Sequence, residues 1–328
     1  MGTCHCKQEC LRKTEEERTE IKYKVSNHTP RTDADPEHKH ATLIQSSFRA
    51  FLVRMRLKPA AELASVPSDI ISPTVKKKLK LLGPYQFPDE DQPGTFMRGP
   101  TRLVDGSVYV GNWNNNGECH SFGSMYHIDG GVSEGHWKRG KLNGIGRKIW
   151  PDGSLYIGMW ADGKRSGQGY MQFDDSHFYN GSWQNDFQHG YGQEEWPDGS
   201  SYLGYYSTGS VEGKGKFIWA DGNSYEGDFL NDKIEGFGHY KWLCGKEYIG
   251  EWKNCKMHGN GVFKWNDGRI YEGGYVMDQK EGWGMFLWPN GNKYEGYWRN
   301  GKQNGEGVLS SAQGKHHKGV WKNGKMLR

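Results

Sequence analysis

The sequence predicts an all-β repeat: an elongated, twisted, single-layer antiparallel sheet of about ten 23-residue hairpins, preceded by a short helical and linker segment. Three observations carry this prediction. Tyrosines 109, 156, 179, 202, 225, 248, 271 and 294 stand in one register, with Ser133 and His317 filling the second and last places. Every step is 23 residues except the first, which is 24. Asp-Gly and Asn-Gly pairs recur in phase with these anchors, as at Asp152-Gly153, Asp221-Gly222 and Asn290-Gly291. Finally, composition breaks near residue 100: all 14 Trp and all but four of the 48 glycines lie beyond it. Fixed-period self-similarity of this kind is the mark of a stacked array.

Each repeat divides into two strands. Two residues past the anchor stands a glycine, and two further on a ring, as in Tyr156-x-Gly158-x-Trp160 and Tyr294-x-Gly296-x-Trp298. Tyr225 and Gly227 follow the same rule, and Trp252 closes the next unit. Period two places these side chains on one face of a strand. The glycine leaves a slot on that face that a ring from the neighbouring strand is expected to fill. The second strand opens with Gly-x-Gly, for example Gly167/Gly169 and Gly236/Gly238, and carries its own ring four residues on, as at Phe173 and Trp242. The Asp-Gly pairs predict tight hairpin turns. The other connection, for example 231–235, reads as a longer polar loop.

These residues resemble the MORN repeat (membrane occupation and recognition nexus), over 101–328. The resemblance implies a twisted antiparallel ribbon with an aromatic and glycine core. It also implies a non-catalytic scaffold, as in junctophilins, radial-spoke head proteins and the repeats of plant phosphatidylinositol phosphate kinases. Partners are then other proteins of a ciliary or cytoskeletal assembly, or a membrane phospholipid. The departures are Ser133, the displaced Ser121-Phe122-Gly123, and a last unit that reads as ending without its second strand.

The first hundred residues hold the whole basic excess, 17 Lys and Arg against 13 Asp and Glu, while the remainder is balanced. They divide into 1–38, a flexible and possible acylation segment; 39–58, a helix; and 59–100, a linker carrying a basic helix; the repeat domain is 101–328. Within 39–58, Ile44, Phe48, Leu52 and Met55 share one helical face and Arg49, Arg54, Arg56 and Lys58 surround it. The segment resembles an IQ motif through Ile44, Gln45, Arg49 and Arg54, which implies docking of calmodulin or a calmodulin-like protein with Ile44, Gln45, Phe48, Arg49, Leu52 and Arg54 in contact. The alternative is a helix that packs on the end of the ribbon. The start, Met-Gly-Thr-Cys-His-Cys, resembles an N-myristoylation site at Gly2, with Cys4 and Cys6 as palmitoylation candidates and Cys6 standing where Ser or Thr is usual. One chain anchors only marginally, so a basic patch such as Lys76-Lys77-Lys78-Leu79-Lys80 would have to assist.

No enzyme is expected. The hundred residues outside the repeats hold no catalytic constellation, and Gly-x-Gly recurring eight times in phase is a sheet device and not a phosphate loop. No cofactor or metal is called for, and the balanced charge of the repeats argues against nucleic acid. No apolar run reaches the length of a membrane-crossing helix, and no secretory leader precedes the six cysteines. The expected location is intracellular, at a cilium or the cytoskeleton or on the cytoplasmic face of a membrane.

Overall fold

A computed structural model describes residues 70–85, 87 and 93–327. The acylation residues Gly2, Cys4 and Cys6 and the IQ-like residues Ile44, Gln45, Phe48, Arg49, Leu52 and Arg54 lie outside the described residues. The described chain is all-β apart from one ten-residue helix. It falls into two compact units, 70–186 and 187–327. In each, every strand pairs antiparallel with its neighbours in sequence, from Thr95–Arg102 to Phe178–Gln184 in the first and from Phe187–Glu195 to Lys325–Met326 in the second.

The repeat is a seven-residue strand followed by a nine-residue one, as in Leu155–Ala161 and Lys164–Gln172. The short connection inside it corrects the expectation of a longer loop. Asn231 and Asp232, at φ 48° and 63°, form a two-residue turn, and residues 233–235 already belong to the next strand. Both central residues lie in the left-handed region, which the short polar side chains of Asn and Asp tolerate and which matches the twist of the paired strands. Asp232 is held further because its carboxylate accepts from the Val211 amide at 2.8 Å. The Asp-Gly connection is the longer of the two. In it Gly153 donates to Trp150 at 2.9 Å, and Asp152 accepts from the Ser154 amide at 2.9 Å.

A bulge recurs in the same place, where register shifts between the anchor-plus-two glycine and the ring that follows, as between Gly158 and Trp160, Gly227 and Phe229, and Gly296 and Trp298. The bulge separates the two glycines of Gly-x-Gly by role. Gly167 stands at φ 64° opposite Trp183 of the next strand and answers a backbone need. Gly169 faces Gly158 across the pair and answers a steric one. A Cβ at Gly169 would overlap the Tyr156 hydroxyl, and one at Gly158 would lie 2.6 Å from it. The ring that fills the slot is therefore the tyrosine of the same strand, folded along it, and not a ring from a neighbour. Ser121, at φ 58°, stands where the first repeat would have its first glycine. The last unit does have a second strand, a two-residue stub at Lys325–Met326.

The anchors form the core. Tyr109, Tyr156, Tyr179, Tyr225, Tyr248, Tyr271 and Tyr294 are wholly buried and Tyr202 nearly so. Each hydroxyl donates to the carbonyl three residues on at 3.0–3.2 Å, so no anchor hydroxyl is left unpaired. Rings close edge-on on Tyr156 and Tyr225 from their own strand and from the following repeat. Tyr156 has Trp160 at 5.0 Å and Trp183 at 5.4 Å; Tyr225 has Phe229 at 5.1 Å and Trp252 at 5.7 Å. Such pairs add about 0.5–1.5 kcal/mol beyond their buried area. Trp160, Trp252 and Trp298 are satisfied too, donating to the carbonyls of Gly146, Gly238 and Gly284 at 3.1, 3.4 and 3.1 Å.

The segment read as linker contributes structure. Residues 95–102 form the first strand, and Pro73–Leu82 form the helix. Ser72 caps it by accepting from Val75 N at 3.2 Å, Pro73 opens it, and Gly83 closes it at φ 73°. Val75 of the helix and Ile71 just before it pack on Val108, Tyr126, Val132, Ile149, Leu155 and Ile157, on the sheet face opposite the anchors. Complete burial of Val75 is worth about 1.5–3 kcal/mol. Val75→Asp should therefore free the helix while leaving the hairpins folded: trypsin would cut faster at Lys76–Lys80 with the circular dichroism of the sheet unchanged. Unaltered cleavage would show that the helix is held by something other than this contact.

Candidate binding surfaces

The residues singled out for the repeat, Tyr156, Gly158, Trp160, Tyr225, Gly227, Trp252, Tyr294, Gly296 and Trp298, are all engaged in packing. Their polar atoms point at backbone. Burial raises the pKa of Tyr156, Tyr225 and Tyr294, so the anchors stay neutral through the physiological range. Binding chemistry must come from elsewhere on the two faces.

On the anchor face, the second strands add their own ladder. Tyr240, Trp242, Phe263, Trp265 and Phe286 follow one another with centroids 4.4–5.6 Å apart. Lys280 enters this ladder at a position held by Leu142, Val211, Ile234 and Met257 in other repeats. Its ammonium lies 4.7–5.0 Å from the ring centroids of Trp265, Tyr271, Phe286 and Trp298. Burial, with the Arg269 guanidinium second, pushes its pKa down to about 8. The rings compensate part of the lost hydration. Arg165, at the same place in an earlier repeat, instead meets the Asp186 carboxylate at 3.2 Å.

The opposite face differs along the chain. Under the helix it is closed by a buried ion pair between Glu134 and Arg147, and Arg147 also donates to the Gly83 carbonyl at 2.8 Å. The guanidinium lies 5.4 Å from the ring of Tyr85, whose hydroxyl donates to Ile145 O at 3.4 Å. Composition and periodicity did not single out Ile71, Val75 or Tyr85. The legible signal was the full set of start and stop residues, Ser72, Pro73 and Gly83, around a three-turn helix. The helix turns Lys76, Lys77 and Lys80 outward with Leu81, which is 75% exposed; Lys78 donates to the Gln172 side chain at 3.0 Å. Further on, the face carries exposed rings: Phe237, Trp283 and Tyr297 are each more than half exposed.

The MORN repeat pattern matches eight segments of the chain, 134–155, 156–178, 179–201, 205–224, 225–242, 248–268, 271–293 and 294–316. The chain belongs to the MORN-repeat family. The matched segments begin and end close to the anchor tyrosines, so the MORN unit and the hairpin unit coincide. No curated protein matches this MORN chain. Among solved structures it is similar to the TCP10 domain of Danio rerio CPAP at 13% identity, over 68% of this chain and 99% of that one, with a TM-score of 0.34. It is also similar to the SAS-4 TCP domain of Drosophila melanogaster, solved in complex with a proline-rich motif of Ana2, at 11% identity over 73% and 99% with a TM-score of 0.28. MORN repeats make this a scaffold whose sheet serves protein or membrane binding.

Proposed function

We propose that this MORN protein is a non-catalytic tether that assembles proteins on its ribbon in a ciliary, cytoskeletal or membrane-associated complex, and that calmodulin or a calmodulin-like protein docks at residues 39–58. The observation that carries the scaffold reading is the engagement of every anchor tyrosine in backbone bonding and ring packing, which leaves the chain's regular chemistry structural. The docking reading rests on the apolar stripe Ile44, Phe48, Leu52 and Met55 with its surrounding arginines. Titration of the full chain with calmodulin, with calcium and with a chelator, tests it. Saturable binding lost in Ile44→Asp/Arg49→Glu is expected; no binding in either condition overturns it.

A second reading is a peripheral phospholipid tether anchored by acylation at Gly2, Cys4 and Cys6. The outward row Lys76, Lys77 and Lys80 with exposed Leu81 favours it, since each cation near an anionic surface adds about 1 kcal/mol. Flotation with phosphatidylserine vesicles should then weaken in Lys76→Glu/Lys77→Glu/Lys80→Glu and in Gly2→Ala. Equal flotation of both variants and the parent removes this reading.

A further inference from the structure

Each two-residue turn gives a backbone donor to the strand of the hairpin before it. Asp186, Asp232, Asp278 and Gly301 donate their amides to the carbonyls of Arg165, Val211, Met257 and Lys280 at 3.1, 3.1, 2.9 and 3.0 Å. The three aspartates also bond back. Their carboxylates accept from the amides of Arg165, Val211 and Met257 at 2.9, 2.8 and 2.9 Å. At the fourth place Gly301 stands where the others have aspartate, so the turn offers the Lys280 amide no carboxylate. The backbone there is nevertheless the same. Gly301 has φ 77°, against 73°, 63° and 72° for Asp186, Asp232 and Asp278, and a Cβ added to it would meet nothing within 4 Å. Conformation and room for an acid are both kept, and only the side chain is missing.

The missing acid matters because of the residue beside it. Cys119, Leu142, Gln188 and Gln303 also receive their bond from a glycine, but none carries a positive charge to balance. Arg165 does carry one, and Asp186 matches it at 3.2 Å. Among the described repeats, Lys280 alone sets a cation against a glycine. Its ammonium stands among the rings of Trp265, Tyr271, Phe286 and Trp298 and makes no hydrogen bond or ion pair with a described residue. Ring faces attract a cation but are poor hydrogen-bond acceptors, so the three donors of Nζ are left to be used. The lowered pKa of Lys280, about 8, has the sign expected of a half-buried ammonium with no counter-ion.

We propose that Lys280 and the Gly301 turn form a carboxylate-binding site, which takes an aspartate or glutamate side chain of a partner protein in the place that Asp186 takes beside Arg165. The Lys280 amide and ammonium both donate to it, as the Arg165 amide and guanidinium donate to Asp186. A carboxylate is favoured over a phosphate for two reasons. The amide at this turn is matched to a carboxylate three times elsewhere in the chain, and one cation balances one negative charge. The site rests on the scaffold reading and narrows it, since a protein docked here must present an acidic side chain to the anchor face.

The test uses the full chain carrying isotope-labelled glycine, with the Gly301 amide as the magnetic-resonance reporter, identified by its loss in Gly301→Asp. N-acetyl-aspartate N-methylamide, titrated at neutral pH and constant ionic strength, should shift this amide saturably. The neutral N-acetyl-asparagine N-methylamide should not, and inorganic phosphate should bind more weakly than the aspartyl compound. Lys280→Met, which installs the residue type that Met257 provides one repeat earlier, should weaken the affinity about tenfold, as loss of a hydrogen bond to a charged group does. A carboxylate supplied by the chain gives a second measurement: Gly301→Asp should raise the urea midpoint of the parent more than that of Lys280→Met. No saturable shift, an equal shift by the asparaginyl compound, tighter binding of phosphate, or equal gains in the two backgrounds overturns the site. Each of these outcomes leaves the scaffold reading standing, because the calmodulin titration reads residues 39–58 and not this turn.

Discussion

Gly238→Val should be among the most damaging single changes in the repeats, lowering stability by about 3–5 kcal/mol. The argument is steric. A Cβ at Gly238 would overlap the hydroxyl and ring edge of Tyr225. Tyr225 is wholly buried, with Phe229 and Trp252 edge-on at 5.1 and 5.7 Å, so it cannot swing aside without opening both. Overpacking of this kind costs about 1–3 kcal/mol. Displacing the ring also strands its hydroxyl, which now donates to Asp228 O at 3.1 Å, for about another 1–3 kcal/mol. Gly236→Ala two residues earlier should cost less, about 1–2 kcal/mol, because only its φ of 64° is at stake. Its nearest neighbour is the flexible end of Asp228 at 2.9 Å. Urea unfolding of the two variants separates the effects; equal losses would mean the two glycines serve one purpose after all. Each repeat touches only its neighbours, so the damage should begin locally and lower cooperativity as well as the midpoint.

The second large effect is alkaline unfolding. Burial raises the pKa of Tyr109, Tyr156, Tyr225, Tyr248, Tyr271, Tyr275 and Tyr294 above the ordinary 10.0. A tyrosine that holds its proton more tightly when folded stabilises the fold fully below the unfolded pKa and loses that contribution as pH rises toward the folded one. Each such group steepens the fall by up to about 1.4 kcal/mol per pH unit above pH 10. Lys280 has the opposite sign. Its pKa is lowered from 10.5 to about 8, so it adds stability as pH rises between those values. Stability should thus hold or rise slightly up to pH 10 and then collapse. Urea midpoints across this range, read with tyrosinate absorbance, check it. Tyrosinate appearing near pH 10 while the sheet signal stays intact would refute buried, coupled anchors.

The fold class was legible because a strand has period two and a stacked array repeats its register: Tyr156, Gly158 and Trp160 share a face wherever they occur. The turns were misjudged at 231–235 because Asn231 and Asp232 carry no glycine to announce a two-residue turn, yet both occupy the left-handed region. The helix was expected as a basic helix within 59–100, but its cover of Ile149 and Leu155 was illegible for another reason. Positions flanking each anchor vary from repeat to repeat, and their pattern emerges only when strands are laid side by side.

The repeated Tyr, Gly and ring positions therefore determined by themselves that this chain is an antiparallel β-repeat scaffold, since their packing is local and recurs in every unit. Only the tertiary structure decided which glycine is conformational and which steric, and that Ser72–Tyr85 lies on the face opposite the anchors. It alone showed that Arg165 has an aspartate beside it while Lys280 has none. Those facts depend on which side chains meet across strands and between a helix and the sheet, and no spacing along a single strand records such meetings.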